Sequence, residues 1–95
     1  MENRDMRTVI LDGRRFTDRA AAHDYLKSAL ELPEWYGRNL DALADCLGEW
    51  GSDTMVILAH PEAAEAQLGD YGTDLVRLLQ QLGNRPGGFV FLLQK

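Results

Sequence analysis

Three short apolar runs, each separated from the next by a stretch patterned for two helices, constrain the fold of this chain most strongly. Thr8-Val9-Ile10-Leu11 is β-branched and ends at the turn signal Asp12-Gly13. Met55-Val56-Ile57-Leu58 is the second run and Phe89-Val90-Phe91-Leu92-Leu93 the third. None alternates polar with apolar residues. That pattern suits strands inside a layered α/β fold whose helices cover the sheet.

The intervening segments read as helices. Thr17 is a candidate cap for a helix beginning at Asp18, with Ala22, Tyr25, Leu26 and Ala29 on its buried face. Pro33 closes that segment, because it restricts Leu32 to extended geometry. Asn39 can cap a second helix from Leu40 to Leu47, striped by Leu40, Leu43 and Leu47. Pro61 fits the first turn of a third helix reaching Leu68. Gly69-Asp70-Tyr71-Gly72 reads as a break and Thr73 as the cap of a final helix. Its core face is Leu75, Val76, Leu78, Leu79 and Leu82, and Gly83 ends it. The order β-α-α-β-α-α-β implies parallel strands joined by right-handed crossovers. The expected fold class is therefore α/β, a three-stranded parallel sheet packed with about four helices. Strand order does not follow from the pattern.

With 95 residues, 45% of them apolar, the chain can bury one modest core, and residues 1–95 read as a single domain. Its apolar runs are far shorter than a membrane span of about 20 residues. The start, Met1-Glu2-Asn3-Arg4-Asp5, is polar and unlike a secretory signal. Cys46 is the only cysteine, so no internal disulfide can form, which fits a reducing, cytoplasmic setting. His23 and His60 lie far apart with no metal-ligand spacing around either. No cofactor motif is present. A net charge of −5 argues against a nucleic-acid partner and for a basic protein, although solubility alone also accounts for acidity.

The second helix carries the functional signal. With Leu40, Leu43 and Leu47 turned to the core, Asp41, Ala44, Asp45 and Gly48 share another face, and Glu49 lies nearby. Like charges four residues apart on a helix cost about 0.2–0.5 kcal/mol per pair. Asp41 recovers part of this in the first turn, where the helix dipole favours a negative charge. Ala44 and Gly48 are small and leave the carboxylates open to a close approach. The same spacing also describes an ordinary solvated face. A divalent cation would need further oxygen ligands, and no acidic loop supplies them. Paired carboxylates can serve as acid and base, but no nucleophile–base pair or phosphate-binding glycine loop accompanies them, so an enzyme is not expected. Just before this helix, Trp35 and Tyr36 fall in one short loop, and Trp and Tyr are favoured interface anchors. Tyr36 is the more suited to burial, and Trp50 could pack on the core or on the acidic face.

The run Leu32-Pro33-Glu34-Trp35-Tyr36-Gly37-Arg38-Asn39-Leu40-Asp41-Ala42-Leu43-Ala44-Asp45-Cys46-Leu47-Gly48-Glu49-Trp50 resembles the signature of the barstar family, intracellular inhibitors of barnase-like ribonucleases. The family pattern is Leu-Pro, an acid, two aromatics and Gly, then Asn-Leu-Asp-Ala-Leu, Asp-Cys-Leu and a later Trp. The surrounding elements agree in order and length, so the resemblance covers nearly the whole chain. It implies a monomeric cytoplasmic protein whose loop and second helix plug the active site of a basic, extracellular-type ribonuclease. Asp45 then enters the phosphate site and Asp41 meets a second basic group. Trp35 covers the catalytic histidine, which is what implies its exposure, and Asn39 and Leu40 flank the contact. Tyr36, Gly37, Gly48 and Trp50 complete the binding segment. Ala44 stands where the family has tryptophan, and Glu49 where it has glycine. In the final helix, Gln81, or Leu82 if the one-residue gap near Gly72 is placed differently, stands where the family carries a partner-facing glutamate. An immunity or regulatory module directed at another protein is the alternative on the same fold.

Overall fold

A computed structural model of the chain describes residues 7–50 and 53–95. The reading of the first five residues lies outside them. Strand β1, Arg7–Asp12, leads through a one-turn 3-10 helix, Gly13–Arg15, into α1, Arg19–Ala29, and α2, Leu40–Leu47. Strand β2 is Thr54–Ala59, followed by α3, Pro61–Leu68, α4, Asp70–Leu82, and β3, Val90–Gln94. The strands form one parallel sheet in the order β1-β2-β3. The element order and the α/β class are those the sequence predicts.

One expectation about the sheet is corrected. Its two faces are not equally covered. Val9, Val56 and Phe91 are register partners on one face, where Leu11 and Leu58 follow with no exposure. Ile10, Ile57 and Leu92 are partners on the other face, where Ile10 is 61% and Leu92 47% exposed. The strand order explains this. Both crossovers advance across the sheet in the same direction, so two connections of one hand lie on one face. Unbroken apolar runs conceal that asymmetry.

Two helix starts differ from expectation. Asp18, not Thr17, caps α1, its carboxylate accepting the Ala21 N–H at 2.8 Å. The helix therefore opens at Arg19. The expected break before the final helix is a single residue, Gly69, at φ 65° and ψ −136°. Helix α4 starts at once with Asp70, so Thr73 lies inside it rather than capping it. Gly72 serves packing instead. A Cβ there would fall 2.6 Å from the carbonyl oxygen of Ala64 in α3.

This makes a prediction. Gly72→Ala raises helix propensity by about 0.5–1 kcal/mol, yet overpacking against a rigid backbone costs about 1–3 kcal/mol. The variant should melt below the parent in a calorimetric scan. A higher melting temperature would mean that α3 and α4 are not held this close.

The core is built from Leu26 of α1 and Leu30 at its C-terminal cap, Leu43 and Leu47 of α2, Leu75 and Leu79 of α4, and Phe16 and Phe89 from flanking segments. Of the expected α4 face, Leu75, Val76 and Leu79 are buried, while Leu78 and Leu82 pack at its edge. On α1, Ala22 and Leu26 are buried, and Tyr25 and Ala29 are partly so.

Candidate partner-binding face

The loop between α1 and α2 is shaped by its own backbone and anchored from below. Leu30 ends α1, and Glu31 turns the chain at φ 56°. Beyond Pro33, the Tyr36 N–H donates to the Pro33 carbonyl at 3.0 Å and closes a tight turn. That turn points neighbouring aromatics in opposite directions. Trp35 is 75% exposed, whereas Tyr36 is 5% exposed. The Tyr36 hydroxyl lies 2.6 Å from Nδ1 of His23, and Nε2 of His23 lies 2.6 Å from the Tyr71 hydroxyl. A neutral imidazole donates from one nitrogen and accepts at the other. His23, 1% exposed, therefore ties the loop, α1 and the start of α4 together.

Burial holds the His23 pKa below its ordinary value, with Asp24 opposing and Arg38 assisting. Burial likewise raises the Tyr36 hydroxyl well above the usual phenol range. The network is thus neutral at pH 7. His23 was not singled out by sequence as a structural residue. Its partners lie 13 and 48 residues away, which no local pattern reveals.

Next along the loop, Arg38 has φ 58° and pairs with Asp24 at 3.1 Å. Asn39 caps α2 as expected. Its Oδ1 accepts the Ala42 N–H at 2.7 Å, and its Nδ2 donates to the Gly37 carbonyl at 3.3 Å. One side chain therefore sets both the helix start and the loop before it.

On α2, Leu43 and Leu47 are buried and Leu40 is partly so, while Asp41 and Asp45 are exposed. Ala44 is half-buried between them, and Gly48 and the exposed Glu49 follow. Among the described residues no ion pair involves Asp41, Asp45 or Glu49. Trp35, Asp41 and Asp45 therefore present an exposed aromatic from the loop and, from the helix, carboxylates that no described cation pairs with. Trp50 is half-buried, edge-to-face on Phe89 at 5.9 Å, with the Arg7 guanidinium 5.6 Å from its ring centre. Gln81 is exposed on α4, the helix against which α2 packs. Tyr36 stands behind the surface rather than on it.

Cys46 packs partly against the core. Burial raises its pKa, and Asp45 and Glu49 raise it further by opposing a second negative charge. A thiol so placed is a packing group. Cys46→Ala should retain partner binding, and Cys46 should react with iodoacetamide at pH 7 more slowly than free cysteine. Loss of binding in a folded Cys46→Ala protein would contradict this. No three His, Cys, Asp or Glu side chains cluster for a metal among the described residues. No helix among them is long and apolar enough to cross a membrane.

The family model described as Barstar (barnase inhibitor) matches residues 6–94. The chain is also 42% identical over 77 residues to the Bacillus subtilis (strain 168) protein named "Putative ribonuclease inhibitor YrdF". That match covers 80% of this chain and 85% of the relative. A family match over nearly the full length, a close relative and the parallel three-stranded fold agree, and the chain belongs to the barstar family.

Proposed function

We propose that this chain is a cytoplasmic protein inhibitor that blocks the active site of a barnase-like, guanyl-specific ribonuclease and so protects the cell that makes the nuclease. The carrying observation is the face of α2, where Asp41 and Asp45 stand exposed and, among the described residues, without ion pairs, on the helix that follows the loop exposing Trp35. A nuclease must hold RNA phosphates with cations. A carboxylate on a rigid helix offers those cations the same charge and the same acceptor geometry. Asp45 enters the phosphate site, Asp41 meets a neighbouring cation, and Trp35 lies over the catalytic centre. Asn39 fixes the helix that carries them. Leu40 flanks the contact, Gly37 and Gly48 allow close approach, and Glu49 and Gln81 meet the rim. Trp50 holds the end of the segment from its packed position. The acidic inhibitor and basic nuclease attract at long range, which speeds association. Residues 1–95 act as one domain, monomeric until the complex forms and without a cofactor.

Ala44 and Glu49 favour a second reading. The family's tryptophan and glycine at these positions suit barnase, so a different toxin or regulatory protein is the alternative target of the same face.

The test is a titration of this chain into barnase with an RNA-cleavage readout. Activity should fall to zero at equimolar inhibitor, and the chain alone should cleave nothing. Undiminished cleavage at large excess would exclude the barnase-like target. Turnover by the chain itself, abolished in Asp45→Ala, would exclude the inhibitor role. A pull-down from the native cell, assayed for ribonuclease, separates the two targets.

A further inference from the structure

A surface hollow of about 440 Å³ lies between α1 and the start of α2, lined by Arg19, Arg38, Tyr71, Leu40 and Asp41 among others. It opens beside the face proposed for the nuclease. The guanidinium of Arg19 sits 4.2 Å from the centre of the Tyr71 ring. Tyr71 is itself held by the hydrogen bond to buried His23. Stacking on a ring face occupies none of a guanidinium's N–H donors. Arg38 is engaged by Asp24. Arg19 has no ion pair among the described residues, and neither has Asp41 across the same hollow. The hollow therefore carries one held cation and one free carboxylate that do not neutralise each other.

We propose that Arg19 is a specificity residue of the inhibitory interface, receiving a carboxylate side chain of the nuclease while Asp41 receives the cation beside it. The inference rests on the function proposed above. A carboxylate is the fitting occupant because a planar guanidinium binds it with two parallel hydrogen bonds. An RNA phosphate fits less well, since Asp41 and the net charge of −5 repel a polyanion that a protein edge of mixed sign does not present. The consequence is selectivity. A nuclease with an acid at this point is welcomed, and one with a lysine or arginine there meets a like charge.

Simple charge matching predicts the opposite. Removing a positive charge from an inhibitor of a basic nuclease should strengthen binding. The experiment measures dissociation rates from immobilised barnase for the parent, Arg19→Gln, Arg19→Glu and Arg19→Lys, with melting curves for each. Dissociation should quicken by about 10-fold in Arg19→Gln and by about 100-fold or more in Arg19→Glu, with Arg19→Lys between parent and Gln. Melting temperatures should hold, and Arg19→Glu should gain slightly because an acid favours the first turn of α1. Unchanged or slower dissociation in Arg19→Gln and Arg19→Glu, with a parent that binds, would overturn the inference alone. A parent that does not bind barnase would overturn the proposed target and this inference with it. Retention of single-stranded RNA by the free parent, lost in Arg19→Gln, would make the hollow a phosphate site and overturn the inference too.

Discussion

Asp45→Ala is expected to weaken ribonuclease binding far more than Glu49→Ala, with Asp41→Ala between them. Truncating one member of a desolvated interfacial charge pair costs about 2–5 kcal/mol or more, a range to which the barnase–barstar complex itself contributed, and which is roughly 30-fold to several-thousand-fold in affinity. On the proposed mechanism the nuclease's phosphate-binding cations would stay buried without a counter-charge, so the loss should show as faster dissociation. Glu49 follows the helix and is exposed, and in the proposed complex it lies at the rim, where water would screen it. Its removal should cost about 0–1 kcal/mol and act mainly on association. Asp45 makes no ion pair among the described residues, and its loss relieves repulsion from Asp41 one turn away. Asp45→Ala should therefore melt at the parent temperature or slightly above it. Equal binding losses at Asp45 and Glu49 would describe a diffuse electrostatic contact. A marked fall in melting temperature for Asp45→Ala would make the residue structural and remove it from the centre of the site.

His23→Ala should be the opposite kind of variant, with a large loss of stability. It deletes a side chain that is 1% exposed and leaves the buried Tyr36 hydroxyl without its partner. An unsatisfied buried hydroxyl costs about 1–3 kcal/mol, and the cavity adds to it. The expected total is about 2–4 kcal/mol, and each kcal/mol lowers the melting temperature of a domain this small by roughly 4–8 °C. The pH dependence carries a sign. Burial holds the folded His23 pKa below the ordinary 6.5, so the unfolded chain takes up a proton more readily. The stabilisation is fully present above pH 6.5 and is lost as pH falls through 6.5 toward the folded pKa. Asp12 acts in a separate window. Its hydrogen bonds to Arg14 hold its pKa at about 2, below the ordinary 3.8, so its contribution is lost only below that value. Denaturant titrations from pH 7.5 to pH 5 should show a slope in the parent that flattens in His23→Ala. Parallel slopes would assign the proton uptake elsewhere.

Local signals made most of the architecture legible. Asn39 and Pro61 mark helix starts, and Gly83 an end, through chemistry confined to a turn or less. The apolar runs mark three strands because helical crossovers leave few other ways to bury them. What stayed hidden depends on contacts remote in sequence. The open sheet face follows from strand order, which periodicity does not encode. Gly72 looks like a helix breaker until α3 is seen against it. His23 looks like an isolated histidine until Tyr36 and Tyr71 arrive from elsewhere in the chain. At the candidate site, the spacing of Asp41 and Asp45 was legible as a shared helix face. Their meaning came from the family resemblance, since a solvated acidic helix has the same pattern. Arg19 carried no signal at all, because its setting is made by Tyr71 stacking from a distant helix.

Competition with inorganic phosphate tests most directly whether Asp45 occupies the nuclease's phosphate site. The apparent Kd of the parent for barnase should rise in proportion to phosphate concentration, with chloride adjusted to hold ionic strength constant. In Asp45→Ala the rise should disappear, because phosphate can then share the complex. A parent affinity indifferent to phosphate, or equal competition against parent and Asp45→Ala, would contradict phosphate mimicry by this carboxylate.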